Sequence, residues 1–169
     1  MRVVARFLVA AFVATATIPA AALAQVPGMG KQERYQDWTV FCPANTDCTA
    51  MFSGAAVRVV VGPNAADGAL RVAVLVAANA DASKPVIALL AGKGEDAPPK
   101  RVVMNIRGCS SGFCKALASA ETAPQVIELF RTSRMARILY AIREGRTVST
   151  RVSFDGFANA LAEVEQQPR

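Results

Sequence analysis

The sequence predicts a mainly β protein, a β-sandwich with two short helices late in the chain. Three observations support this. Short apolar runs with a period of two dominate the chain up to residue 117 and return after residue 138. Turn residues (Gly, Pro, Asn and Asp) separate the runs. Helical periodicity occurs only after Glu121, so strands and helices do not alternate as they do in a parallel α/β sheet.

Residues 1–24 have the pattern of a cleaved signal peptide. Arg2 and Arg6 precede a continuous apolar run over 7–18, and Ala22-Leu23-Ala24 fits a small-x-small cleavage site before Gln25. The run is shorter than a membrane-spanning helix requires, so a retained membrane anchor is the weaker alternative. Cleavage leaves 145 residues, enough for one domain.

Residues 25–36 are polar and contain proline and glycine, so we expect a flexible N-terminal arm before a single β-sandwich domain over 37–169. The first strand alternates Trp38, Val40 and Cys42 on one face, and this spacing predicts that Trp38 packs in the core. Further strands are predicted over 48–52, 56–61, 70–76, 85–90 and 101–106.

The last third of the chain supplies the two helices and a hairpin. A helix is predicted after Thr122, where Val126, Leu129 and Phe130 recur at helical spacing. Residues 138–143 and 147–154 are predicted to form a hairpin around a Glu-Gly turn. In its second strand, Arg151 and Ser153 lie on one face, and Val152 and Phe154 lie on the other. A closing helix follows, with its apolar residues at helical spacing on one face: Phe157, Leu161 and Val164.

Four cysteines follow the leader, in a chain with no histidine. Three disulfide connectivities are open. We favour Cys42–Cys48 and Cys109–Cys114, because each pair lies across its own short loop in an exported protein. A zinc site and a redox dithiol are weaker alternatives, since the C-x-x-C spacing of both is missing.

The composition argues against an enzyme and against bound cofactors. Without histidine, neither a Ser-His-Asp nor a Cys-His nucleophile pair can form. The paired carboxylates Glu95 and Asp96 fall in a Pro-rich loop, and no phosphate-binding glycine motif occurs. We therefore predict no catalytic residues, no cofactor and no metal site.

A cluster of arginines after the first helix is the strongest functional signal. Five of them form the candidate anion-binding or partner face: Arg131, Arg134, Arg137, Arg143 and Arg146. Solvated helix and strand ends are the plainer interpretation. A functional face would take lipopolysaccharide, acidic lipid headgroups or an acidic protein. Nucleic acid is disfavoured, because only Phe130 and Tyr140 are available for base stacking.

The order of the motifs resembles the invasion-associated locus B family of Gram-negative bacteria. The matching residues are W-T-V-F-C (38–42), Cys48, C-S-S-G-F-C-K-A (109–116) and S-F-D-G-F-A-N-A-L (153–161). The resemblance covers nearly the whole chain after the leader. It implies an immunoglobulin-like β-sandwich in an exported envelope protein, linked to host-cell invasion in some pathogens. Segment 74–86 departs from the L-P-x-G-V pattern of the family.

These observations predict an exported, disulfide-braced, non-enzymatic protein of the periplasm, associated with the outer membrane or secreted. Its expected partner is an envelope or host protein or an anionic lipid surface, with no transmembrane segment after cleavage. The alternative is a periplasmic chaperone or inhibitor that binds through a sheet edge.

Overall fold

The computed structural model describes residues 30–44, 46–92, 98–110 and 112–166. The predicted signal peptide lies outside the described residues. Within these ranges the protein has ten strands and two late helices, which confirms the predicted mainly β fold. The elements in chain order are β1 (Lys31–Tyr35), β2 (Trp38–Cys42), β3 (Thr49–Ser53), β4 (Val57–Pro63), β5 (Leu70–Ala77), β6 (Val86–Gly92), β7 (Lys100–Cys109), β8 (Phe113–Leu117), α1 (Ala123–Thr132), β9 (Ser133–Ala141), β10 (Thr147–Ser153) and α2 (Phe157–Gln166).

The strands pair antiparallel throughout, in the order β1-β2-β3-β4-β5-β8-β7-β6-β9-β10. The long strand β7 joins the two layers of the sandwich. Its first half pairs with β6, from Lys100 to Met104, and its second half pairs with β8, from Asn105 to Cys109. One layer therefore contains β1–β5 and β8, the other contains β6, β9 and β10, and β7 belongs to both.

Alternation along the strands fills a single core between the layers. Every second residue of β4, β5, β6 and β9 is buried, because successive side chains of a strand point to opposite faces. The buried residues of this alternating set are Val57, Val59, Val61, Val72, Val74, Val76, Val86, Ala88, Leu90, Ala136, Ile138 and Tyr140. All of them belong to one hydrophobic cluster, so the two layers stabilise each other through shared apolar contacts.

Trp38 is completely buried and anchors an aromatic cluster, which confirms its predicted core position. Its ring lies 4.7 Å from the ring of Phe157 and 6.2 Å from that of Phe154, which in turn stacks on Phe130 at 4.5 Å. The indole Nε1 donates a hydrogen bond to the backbone oxygen of Ser153 at 3.0 Å. Both helices thereby seal the end of the sandwich against the first core strand.

The prediction of a flexible arm over 25–36 is wrong for residues 31–35, which form strand β1. Their partners run in register from Lys31 with Cys42 to Tyr35 with Trp38. β1 is an edge strand with charged residues on both faces, so it lacks the apolar alternation on which strand prediction depends. Gly156 packs closely against the backbone at the end of β1. It has a φ of 86°, and an added Cβ would lie 2.0 Å from the backbone oxygen of Tyr35.

Candidate functional site

The structure contains both disulfides that the loop spacing predicts. Cys42–Cys48 closes the loop between β2 and β3, and Cys109–Cys114 closes the loop between β7 and β8. Cys109 and Cys114 are also direct cross-strand partners. The two bridges account for all four cysteines of the chain, in the connectivity that the sequence favours.

The five arginines of the predicted face are not brought together. Arg131 lies in the last turn of α1 and Arg134 at the start of β9, and both line a surface depression of about 430 Å³. Arg143 and Arg146 follow the other end of this strand, and nine residues separate the two ends by roughly 30 Å. Only Arg137 lies in the middle of β9. The cluster in the sequence therefore extends along the whole of β9 and past both of its ends.

Three of the five arginines are also engaged with other groups. Arg131 forms ion pairs with Glu165 at 2.6 Å and with Glu128 at 3.2 Å. Arg146 forms an ion pair with Glu144 at 2.7 Å, and Arg143 donates to the backbone oxygen of Ala78 at 3.0 Å. These interactions fit the plainer interpretation of solvated and locally paired strand ends.

Arg137 belongs instead to a row of residues that crosses four neighbouring strands. The register pairs Arg101 of β7 with Leu89 of β6, Leu89 with Arg137 of β9, and Arg137 with Arg151 of β10. All three arginines are exposed. Because partners in register point to the same side of a sheet, the three guanidinium groups share the outer side of this layer, along roughly 14 Å for three strand spacings. We call this surface the basic face.

The basic face contains no negative charge of its own. Strands β6, β7, β9 and β10 include no aspartate or glutamate. Arg137 and Arg151 stand directly opposite each other, an arrangement of like charges that destabilises a sheet. No ion pair to either arginine occurs within the described residues. The pair is therefore electrostatically uncompensated within the described part of the chain.

Apolar side chains interleave with the arginines on the same face. Val103 is 51% exposed and Met135 is 39% exposed, and both have the outward parity of Arg101 and Arg137. Beside them lies a shallow apolar depression of about 190 Å³. Its lining residues are Lys84, Pro85, Ile87, Leu139, Tyr140, Ala141 and Thr147. The face thus offers both cationic and apolar contacts.

The charges of β1, on the opposite layer, behave differently because they are paired. Lys31 contacts Glu33 at 2.8 Å and Glu163 at 3.3 Å. Hydrogen bonds from Lys31 and from the hydroxyl of Tyr35 lower the pKa of Glu33, and the same carboxylate raises the pKa of Lys31. Compensated charges of this kind stabilise a solvated edge, whereas the row on the basic face has no such partners in the described chain.

Sequence reasoning missed Arg101 and left Arg151 out of the candidate site. Both lie far from Arg137 along the chain and become its neighbours only through the order of the strands. The alternation in β10, with Arg151 on one face and the apolar Val152 on the other, did indicate that Arg151 points outward. None of the described helices is long and apolar enough to span a membrane.

No family model matches the sequence, and no curated protein matches it either. Among solved structures, the chain is similar to invasion associated protein b from Bartonella henselae. The two are 20% identical with a TM-score of 0.64, and the match covers 80% of this chain and 96% of the other. The chain has the fold of this Bartonella protein. The likeness agrees with the family resemblance and concerns the fold alone.

Proposed function

We propose that this chain is an exported, disulfide-braced and non-enzymatic protein of the bacterial envelope, of the invasion-associated locus B type, which binds anionic groups through the basic face. The leader pattern, the two disulfides and the fold support export to an oxidising compartment, for which we propose the periplasm. The binding proposal depends on one observation, the row of Arg101, Arg137 and Arg151 on strands without acidic residues.

Physical chemistry favours an anion as the missing partner of this row. Two arginines in direct cross-strand register repel each other, and a phosphate or carboxylate between them would turn repulsion into two attractions. Guanidinium groups bind such anions in bidentate geometry, which a lysine cannot reproduce. The exposed side chains of Val103 and Met135 add apolar contacts beside the charges. An amphiphilic anionic partner, either lipid headgroups or an acidic protein segment, satisfies both requirements.

Export is tested by expressing the full chain in a Gram-negative host and analysing the periplasmic fraction. Mass spectrometry should find a mature chain that begins at Gln25 and whose four cysteines resist alkylation before reduction. Replacing Ala22 and Ala24 with bulky residues should block cleavage and retain the precursor. Recovery of the protein in the cytoplasm with free thiols would refute this part of the proposal.

Anion binding is tested with pyrophosphate, followed by NMR of the arginine Nε–H groups in the mature protein. The signals of Arg101, Arg137 and Arg151 should shift on titration, and the signals of Arg34 and Arg58 on the opposite layer should not. The absence of shifts at the three arginines, or equal shifts at all five, would overturn the proposal.

A vesicle assay identifies the source of the anion. Replacing Arg101, Arg137 and Arg151 with Gln should weaken cosedimentation with phosphatidylglycerol vesicles about a hundred-fold if lipid is the partner, since each arginine contributes about 1 kcal/mol near such a surface. The matched control replaces three exposed cations of the other layer with Gln: Arg34, Arg58 and Lys115. It removes the same charge and should bind as the unmodified protein does.

A further inference from the structure

We propose that the free edge of β10 is a strand-addition site for an extended acidic segment of a partner protein. The inference rests on the proposed function, because the same pair, Arg137 and Arg151, receives the carboxylate of the partner. It goes further by naming the class of partner and the way in which its backbone is held. β10 is the last strand in the order of the sheet and pairs only with β9 within the described chain.

Two hydrogen bonds determine which backbone groups of β10 point outward. Phe154 donates to the oxygen of Arg134 at 3.0 Å, and Ile142 donates to the oxygen of Arg146 at 2.9 Å. Both pairs continue the register of β9 and β10. Because bonded and non-bonded pairs alternate in an antiparallel ladder, the residues bonded to β9 are Val148, Thr150 and Val152. The groups of the intervening residues point away from β9: Thr147, Ser149, Arg151 and Ser153.

At the end of this edge next to β2, the outward backbone groups already accept hydrogen bonds from another part of the chain. The backbone oxygen of Ser153 receives the indole N–H of Trp38 at 3.0 Å, and the oxygen of Asp155 receives the N–H of Asp37 at 3.3 Å. These bonds confirm the outward direction of the odd-numbered groups. Beyond them, the N–H and C=O groups of Thr147, Ser149 and Arg151 have no backbone partner in the described part of the chain. They form an open ladder suited to an added strand.

The other edge of the sheet is protected, whereas β10 is not. β1 has Lys31, Glu33 and Arg34 within five residues, and Lys31 ties the strand to α2 through Glu163 at 3.3 Å. Charges of this kind block edge-to-edge pairing. β10 contains seven residues with one charge, Arg151, and four of the seven are β-branched. The chain therefore protects one edge and leaves the other open to pairing.

The side chains around this edge determine the chemistry of the partner. A residue added opposite Arg151 would lie on the basic face, within reach of the guanidinium groups of Arg151 and Arg137. A glutamate there would compensate the like-charged pair. A residue opposite Thr147 has the same parity and lies four positions away, beside the apolar depression that Thr147 and Leu139 line. The expected segment therefore has an acidic and a large apolar residue four positions apart.

The test uses synthetic peptides of seven residues, the length of β10, with Thr and Val at the remaining positions. One has Glu and Phe at the two specified positions, and its matched versions replace Glu with Gln or Lys. Calorimetry with the mature, disulfide-bonded protein should find the Glu peptide bound about ten-fold more tightly than the Gln peptide, as a charge-assisted hydrogen bond predicts. Arg151→Glu should reverse the preference in favour of the Lys peptide.

A second comparison tests the backbone component. Ser149→Pro removes an outward N–H and leaves the bonds to β9 intact, so it should weaken peptide binding about ten-fold while pyrophosphate still shifts the signal of Arg101. Should this variant fail to fold, two N-methylated peptides serve with the unmodified protein. Methylation of the alternate N–H groups that face β10 should abolish binding, and methylation of the other set should not.

Equal affinities for the Glu, Gln and Lys peptides would overturn the proposal, as would equal binding of the two N-methylated peptides. Attachment to anionic vesicles without any peptide binding would also overturn it, in favour of a lipid partner. In each of these cases the pyrophosphate shifts at Arg101, Arg137 and Arg151 would persist, so the proposed anion-binding function would stand. Loss of those shifts as well would remove the proposed function itself.

Discussion

Arg137 and Arg151 should destabilise the free protein through their mutual repulsion. They occupy a non-hydrogen-bonded cross-strand pair, in which the Cβ atoms are about 4.5–5.5 Å apart. Two exposed unit charges about 6 Å apart in water repel each other by roughly 0.7 kcal/mol, within the range of measured cross-strand pairs. A double-mutant cycle with Arg137→Gln and Arg151→Gln should therefore give an unfavourable coupling energy of about 0.5 kcal/mol.

The assay is urea unfolding of the mature, disulfide-bonded protein at low and at high salt. The coupling should be largest in about 0.01 M salt and vanish near 1 M, where the screening length falls from about 30 Å to about 3 Å. Arg137→Glu should reverse the sign of the coupling, because the pair then attracts. At saturating pyrophosphate, the coupling between Arg137 and Arg151 measured by the Gln cycle should become favourable, since both guanidinium groups share the anion.

A coupling that is zero or favourable at low salt without an added anion would refute this reasoning. It would mean that the two guanidinium groups avoid each other or already share a negative partner within the chain. A coupling that does not respond to salt would likewise exclude Coulomb repulsion as its cause. The cycle between Arg137 and Arg58 is the control, because Arg58 lies on the other layer and its effect should add independently.

Three further predictions concern the scaffold. Gly156→Ala should destabilise the protein by about 2 kcal/mol or more in urea unfolding, because its left-handed backbone disfavours a Cβ that also meets backbone atoms. Replacing both Cys109 and Cys114 with Ala should lower the free energy of unfolding by about 2 kcal/mol in the same assay, and circular dichroism should show that the sheet is retained. Glu33→Gln should destabilise at neutral pH, but not at a pH well below the depressed pKa of Glu33. A carboxyl whose pKa is lowered by folding stabilises the folded state at a pH above its unfolded pKa, and this contribution is lost as the pH falls through the folded pKa. Lys31→Gln should reduce the effect of Glu33→Gln at neutral pH, because Lys31 is the main cause of the lowered pKa.

Local patterns allowed much of the scaffold to be predicted from the sequence. Alternation identified the strand of Trp38 and the hairpin of β9 and β10, and short loop spacing identified both disulfides. These features depend on residues close to one another in the chain, where periodicity and loop closure are informative. Strand β1 was missed because its stability comes from pairing with β2 rather than from an apolar face of its own.

The site could not be predicted to the same extent, because a cluster in sequence is not a cluster on a sheet. The arginines between 131 and 146 run along one strand and past both of its ends, so most of them are far from one another. The basic face arises across the strands, where a register fixed by the buried residues on the inner side aligns Arg101, Arg137 and Arg151 on the outer side. A shift of one residue in β10 would turn Arg151 inward and expose Val152, which the core does not permit. The packing of the sandwich thus holds the like-charged pair in place.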